Sequence, residues 1–237
     1  MLKIRPRGFV RFYSSHVNIT SNNEKTLKLY GDEASPPVRF VLMVASALNI
    51  KMDYKEINLF AGEQKTEFYK KINPLQKVPA LVIQDQVICD SHAICLYLCH
   101  RQNDKSLYPK DLITKTRIDE MLFFNSGTLF PIDSAIFTDF FSGKWPVDPN
   151  KLQILNSAMD HLELHLTKSV WLTGDEMRLC DICIMATVTS IYQIVQKTGK
   201  HKNIHKWLVQ FEKKPFYDIN LQGLDRLGKF IKSFDKI

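Results

Sequence analysis

Four groups of residues in this 237-residue chain have types and spacings that could do chemistry. The first is Ser35-Pro36-Pro37, between the apolar runs 26–31 and 40–50. A serine followed by prolines reads as a helix start, because the missing proline N–H costs little in a first turn. Unpaired backbone N–H groups and the positive helix end converge there and favour an anion. A thiol held at such a place ionises more readily than its ordinary value of about 8.5. The plainer reading is a serine that only caps its helix.

The second group is Val78-Pro79, a proline at the mouth of an apolar strand. X–Pro bonds are where a cis peptide is cheap. A cis bond would turn the Val78 N–H and C=O sideways, toward an extended peptide; the alternative is a trans proline opening an edge strand. The third is Asp90-Ser91-His92, where a further helix begins. First-turn N–H groups and the serine hydroxyl suit a carboxylate, and Asp90 suits an ammonium. Together they make a receptor for the zwitterionic end of an amino acid, or else an ordinary cap.

The fourth is Asp133, inside the phenylalanine-rich stretch 121–141. Phe123, Phe130 and Phe137 recur every seven residues and are expected on one helix face, with Asp133 among them. A carboxylate in such a stripe must find a hydrogen-bond partner or be expelled. Pro131 should kink or restart the helix, which could turn Asp133 outward as a cap. Cys180 and Cys183 have CxxC spacing, but they open an apolar run and read as packing residues. With Cys89, Cys95 and Cys99 they give an odd count, and no apolar signal core precedes them, so free thiols in a reducing compartment are expected.

Positioning these groups takes two kinds of element. Residues 26–102 alternate: a strand at 26–31, a helix at 36–48, a strand at 52–60 and a short helix at 62–72. Two short strands follow within 78–90, around a turn at Gln84-Asp85-Gln86, and then a helix over 90–102. Residues 103–109 form a linker. Beyond it strand signals stop, and helical periodicities run over 112–130, 151–168, 180–197, 203–214 and 221–235, so 110–237 reads as all-helical.

Composition narrows the function classes. Hydrophobic residues make up 45% and charged residues 24%, ordinary for a globular protein. No apolar run approaches the roughly 20 residues of a membrane span, so membrane insertion is not expected. The net charge is +7, but Lys3, Arg5, Arg7 and Arg11 supply four of those charges, with no acid before Glu24. The rest is dispersed, which argues against a nucleic-acid partner. The basic residues 1–25, without an acid as far as Asn23, read as a disordered extension or a mitochondrial presequence and are set apart from the fold.

The motifs Ser-Pro-Pro-Val-Arg after a strand, Asn-Pro-x-x-x-Val-Pro, and Asp-Ser-His-Ala-Ile, in this order, resemble the delta/epsilon glutathione S-transferases of insects over about residues 26–235. The resemblance implies an α/β thioredoxin-like N-terminal domain, an all-α C-terminal domain, a homodimer in the cytoplasm, and glutathione as co-substrate with no metal. It implies that Ser35 donates a hydrogen bond to the glutathione sulfur and holds it as thiolate. Val78, beside cis-Pro79, would pair with the cysteinyl backbone of glutathione, and Asp90, Ser91 and His92 would hold its γ-glutamyl end. Gln64 and Gln76 stand where many members carry histidines for the glycine end, with Lys77 adjacent. Asp181 matches the acid of the family's buried N-capping motif, but Arg178 stands where its threonine or serine is usual.

Leu129-Phe130-x-x-Asp133-Ser134, with Gly62-Glu63-Gln64 and Ile57-Asn58-Leu59-Phe60, further resembles the noppera-bo steroidogenic branch. That likeness implies that Asp133 accepts a hydrogen bond from a sterol hydroxyl, within walls supplied by Pro36, Phe60, Phe130, Ser134 and Phe137. The expected function is therefore a glutathione transferase acting on a hydrophobic electrophile or sterol in ecdysteroid biosynthesis. The alternatives are a general detoxifying transferase and a non-catalytic carrier of sterol and glutathione.

Overall fold

In the computed structural model, which describes residues 26–234, a four-stranded sheet unit is followed by a bundle of helices. The reading of residues 1–25 lies outside the described residues. Strand β1 (Leu27–Gly31) leads through helix α1 (Pro36–Ala47) to a parallel neighbour, β2 (Asp53–Glu56). After α2 (Glu67–Ile72), strands β3 (Ala80–Ile83) and β4 (Gln86–Ile88) add antiparallel partners in the order β2-β1-β3-β4, and α3 (Ser91–Arg101) closes the unit. Leu27 and Leu29 on β1 are buried, with half-exposed residues between them, as one covered sheet face requires. Gly31 ends this strand where a Cβ would overlap the Val38 side chain of α1.

Three expectations for this half need adjusting, the first being the strand expected over 52–60, which pairs with β1 only over Asp53–Glu56. The span 62–72 is not one helix: a 3-10 turn at Glu63–Lys65 is separated from α2 by an extended Thr66, whose Oγ1 accepts from the Tyr69 N–H at 3.3 Å. A threonine that caps a helix by its side chain also ends the one before it. The hairpin turn is shorter than expected. Gln86 already belongs to β4, and Gln84 takes the left-handed conformation, φ 58°.

The helical half comprises α4 (Leu112–Phe124), α5 (Phe130–Phe141), α6 (Pro149–Leu166), α7 (Leu179–Ile191), α8 (Lys202–Phe211) and α9 (Tyr217–Phe234). Helix α7 is buried along its whole length and ends at Ile191, short of the expected 197. It packs against α1, so the two units share one continuous core. No helix among the described residues is long and apolar enough to cross a membrane.

The phenylalanine stripe is broken in an informative way. Helices α4 and α5 are joined by a wide π turn, Asn125–Leu129, in which the Phe130 N–H reaches back to the Asn125 carbonyl. Pro131 then falls in the first turn of α5, where it needs no donor. The wide turn shifts the register. Phe123 is 74% exposed and does not share the face of Phe130 and Phe137, contrary to the seven-residue spacing.

Candidate functional site

Ser35 occupies the N-cap of α1, with extended backbone, φ −78° and ψ 124°, and both prolines at the first helical positions. Its carbonyl accepts from the N–H groups of Val38 at 3.1 Å and Arg39 at 3.0 Å. Its hydroxyl makes no capping bond. Thus the cap position is filled while the side chain stays available to a ligand, at the wall of a cavity of about 500 Å³.

A second cavity, of about 210 Å³, adjoins the first, and Pro36 and Phe130 belong to both walls. The smaller one is lined by Lys77, Val78, Pro79 and the Asp90-Ser91-His92 trio. The Val78–Pro79 peptide is cis, and neither backbone group of Val78 pairs with another backbone group among the described residues. Asp90 is the N-cap of α3: its Oδ1 accepts from the N–H groups of His92 at 2.9 Å and Ala93 at 3.0 Å. The His92 ring beside it and these N–H groups hold the Asp90 carboxyl down to about 2, against a smaller opposing effect of burial. The His92 ring turns inward, with Nδ1 3.5 Å from Asp90 Oδ1 and Nε2 3.4 Å from the Cys183 sulfur. Both nitrogens therefore face protein groups.

The larger cavity is aromatic. Phe60 of the β2–α2 loop stacks on Phe230 of α9 with ring centroids 3.6 Å apart, and Phe141 lies 5.2 Å from Phe230 and 5.7 Å from Phe137. Into this wall α5 sets Asp133, only 3% exposed, with Oδ1 buried and without a hydrogen-bond partner among the described residues. Burial pushes its carboxyl up to about 8, although the Arg39 charge pulls the other way. Asp133 is thus largely neutral near pH 7. It can donate a hydrogen bond as well as accept one, which widens the acceptor-only role implied by the resemblance.

The reason Arg39 does not pair with Asp133 lies in its own bonds. A guanidinium has five N–H donors. Those of Arg39 go to Asn220 Oδ1 at 2.9 Å, to the Glu33 and Ala34 carbonyls at 3.0 and 2.7 Å, to the Ala186 carbonyl at 3.0 Å, and to the Ser190 hydroxyl. Burial brings its pKa down to about 10, partly offset by the Asp133 charge. The cation thus ties α1 to α7 and α9 and leaves Asp133 without a partner.

Of the residues singled out from sequence, Ser35, Pro36, Phe60, Gln64, Phe130, Asp133, Ser134 and Phe137 all line the larger cavity. Gln64 brings a second orphan to it, a buried Oε1 with no partner. Gln76 lies apart, its Nε2 donating to the Lys65 carbonyl at 3.4 Å, and it lines neither cavity. Sequence reasoning missed Ser190, Leu227 and Phe230, which complete the wall from α7 and α9. No group of three or more His, Cys, Asp or Glu side chains among the described residues is placed to hold a metal ion. The altered cap is half kept: Asp181 Oδ2 accepts from the Arg178 N–H at 2.8 Å, while the arginine side chain turns away to the Ser106 carbonyl and Glu176.

Comparison with known proteins agrees with this geometry. Residues 29–106 match the profile of the glutathione S-transferase N-terminal domain. Over 86% of this chain and 96% of the relative, the sequence is 32% identical to glutathione S-transferase D6 of Drosophila melanogaster. The fold superimposes on an epsilon-class glutathione S-transferase of the housefly Musca domestica with a TM-score of 0.83, at 34% identity, covering 88% of this chain and 98% of the other. A glutathione transferase homologue of Drosophila mojavensis, solved with bound glutathione, gives 0.83 at 33% identity, covering 88% and 97%.

Proposed function

The chain belongs to the glutathione S-transferase family, among its insect delta- and epsilon-class members, and from that premise we propose that it activates glutathione at Ser35 and transfers it to a flat, hydroxyl- or carbonyl-bearing apolar electrophile of the sterol class. The observation that carries this reading is the uncapped Ser35 hydroxyl in the wall of the larger cavity, next to Pro36, which both cavities share. In it, the smaller cavity takes the peptide part of glutathione, between cis-Pro79 and the Asp90-Ser91 pair, and its sulfur points at Ser35. The Ser35 hydroxyl donates to the thiolate, the reactive form. A hydrogen bond to a charged acceptor contributes about 1.5–3 kcal/mol, reinforced by the helix end.

The electrophile lies in the larger cavity, whose 500 Å³ falls among ordinary ligand sites. Aromatic walls with a single buried acid suit a rigid ring system that carries one polar group. The neutral Asp133 carboxyl meets that group, which supports the sterol reading over a general detoxifying one, and the ecdysteroid role is part of the same proposal. The homodimer reading is supported by Phe68, Leu75, Leu112, Ile113 and Phe123, large apolar side chains that a single copy leaves in water.

The test is Ser35→Ala, assayed with a chromogenic electrophile and, separately, for sterol binding. Turnover should fall by about 10- to 100-fold, as expected for loss of one hydrogen bond to a charged acceptor, with sterol affinity kept. Unchanged turnover would show that the Ser35 hydroxyl does not activate the sulfur.

A further inference from the structure

Five cysteines are present, and all are free thiols. Four of them sit in surroundings that suppress reactivity. Burial lifts Cys95 and Cys180 far above the ordinary thiol range, raises Cys99 to about 12, and also raises Cys89. Cys89 donates weakly to the Ile72 carbonyl at 3.8 Å and faces no base among the described residues.

Cys183 differs in what surrounds it. It is only 3% exposed, yet it is among the residues that line the 210 Å³ cavity. His92 Nε2 stands 3.4 Å from the sulfur, and the opposite nitrogen faces Asp90 Oδ1 at 3.5 Å. The three side chains form a carboxylate–imidazole–thiol line contributed by two units of the fold: Asp90 and His92 from the start of α3, Cys183 from α7. A base next to a cysteine, itself oriented by a third group, is the arrangement that activates a nucleophile. Burial opposes charge on the His92 ring, but the Cys183 sulfur and the Asp90 carboxylate outweigh it and hold the ring above its ordinary range.

We propose that Cys183 is an oxidant-reactive thiol, activated by the Asp90–His92 pair, which a hydroperoxide entering the smaller cavity converts to a sulfenic acid. The Cys183 sulfur passes its proton to His92 Nε2 and attacks the terminal peroxide oxygen, so an S–O bond forms as the O–O bond breaks. The departing alkoxide, or hydroxide, takes the proton from the His92 imidazolium and leaves as alcohol or water. Sulfur is oxidised by two electrons, the peroxide is reduced by two, and the product stands at the first, reversible step of the cysteine oxidation ladder. On the same wall the Thr187 hydroxyl donates to the Asn125 Oδ1 at 3.0 Å, which leaves the Asn125 amide N–H groups and the Ser91 hydroxyl to meet the polar peroxide oxygens.

Cys89 lines the same cavity without a base and so serves as an internal control. The test treats the reduced full-length protein with one equivalent of hydrogen peroxide in the presence of dimedone, a trap for sulfenic acids, and maps the label by peptide fragmentation. Cys183 should carry about ten times more label than Cys89, and His92→Asn should slow its labelling by about tenfold, the order of a typical general-base contribution or less. Label that favours Cys89, or that leaves Cys183 unmodified, overturns the proposal. So does an unchanged Cys183 rate in a folded His92→Asn protein. If that variant does not fold, the ranking of Cys183 against Cys89 in the unaltered protein decides alone. Neither readout requires transferase turnover, so the result stands apart from the outcome at Ser35.

Discussion

Replacing Asp133 by asparagine should make the protein's stability less dependent on pH, in a direction that the buried carboxyl fixes. The ordinary value of the group is 3.8, and in the fold it is pushed up to about 8. Below pH 3.8 the group is protonated both folded and unfolded and contributes nothing. Between 3.8 and about 8 the unfolded chain gives up the proton while the fold retains it, so stability declines as pH rises; above 8 the loss is constant. Each unit is worth about 1.4 kcal/mol, so the full loss over this window is about 6 kcal/mol.

Asp133→Asn has no proton to lose. Whatever fixed offset the amide brings, the gap between the two proteins should widen in favour of the variant by about 2.5 kcal/mol from pH 4 to pH 6 and by about 5 kcal/mol from pH 4 to pH 8. Urea unfolding of both proteins across that range measures it. Asp181, pushed up to about 6, and Asp90, held down to about 2, shape the curve of each protein but cancel in the difference. A difference that does not change with pH would refute the reasoning: Asp133 would then be solvated or firmly paired, and the unpartnered acid of the cavity would not exist.

Other perturbations reach different parts of the site. Asp133→Ala should weaken binding of a hydroxysterol by about fivefold, the worth of about one net hydrogen bond, read by fluorescence titration; equal affinity in both proteins removes the sterol reading. Gly223→Ala should cost about 1–3 kcal/mol in urea unfolding and weaken binding of apolar ligands, because a Cβ there would overlap the Glu33 carbonyl and the Arg39 side chain and push α9 off the cavity. Asp181→Ala should cost about 3–5 kcal/mol, since the N–H groups of Leu172, Arg178 and Trp207 would lose their shared acceptor in the core. A thermal midpoint within a degree of the unaltered protein would contradict that reading of the cap.

What was legible in the sequence is what is encoded locally. The order of strands and helices, the proline-started α1, the Asp90 cap and the placement of Asp133 near phenylalanines all follow from residues within a turn or two of one another. The split of the 62–72 helix and the broken phenylalanine stripe also have local causes, in a threonine that caps and in a wide turn between α4 and α5. The seven-residue phenylalanine spacing misled because it assumes one uninterrupted helix, and a π turn leaves no mark in hydrophobic periodicity. Long-range partners were not legible. Arg39 bonds Asn220, 181 residues away, and His92 meets Cys183 across 91 residues. Nothing in either neighbourhood announces its counterpart. Cys183 reads as a packing residue by composition, and it is one; only the fold adds the imidazole.

The position of α9 has a consequence for how this protein comes into being. The hydroxyl at residue 35 and the peptide groove around Pro79 belong to the part of the chain made early. Leu227 and Phe230, which finish the aromatic wall, belong to the last helix described. Asp32, near the front, receives Arg226 from that same helix at 2.7 and 3.0 Å. During synthesis the polar half of the site can therefore take shape while its greasy half still lacks a side, and the two become one chamber only when the end of the chain folds back onto its beginning.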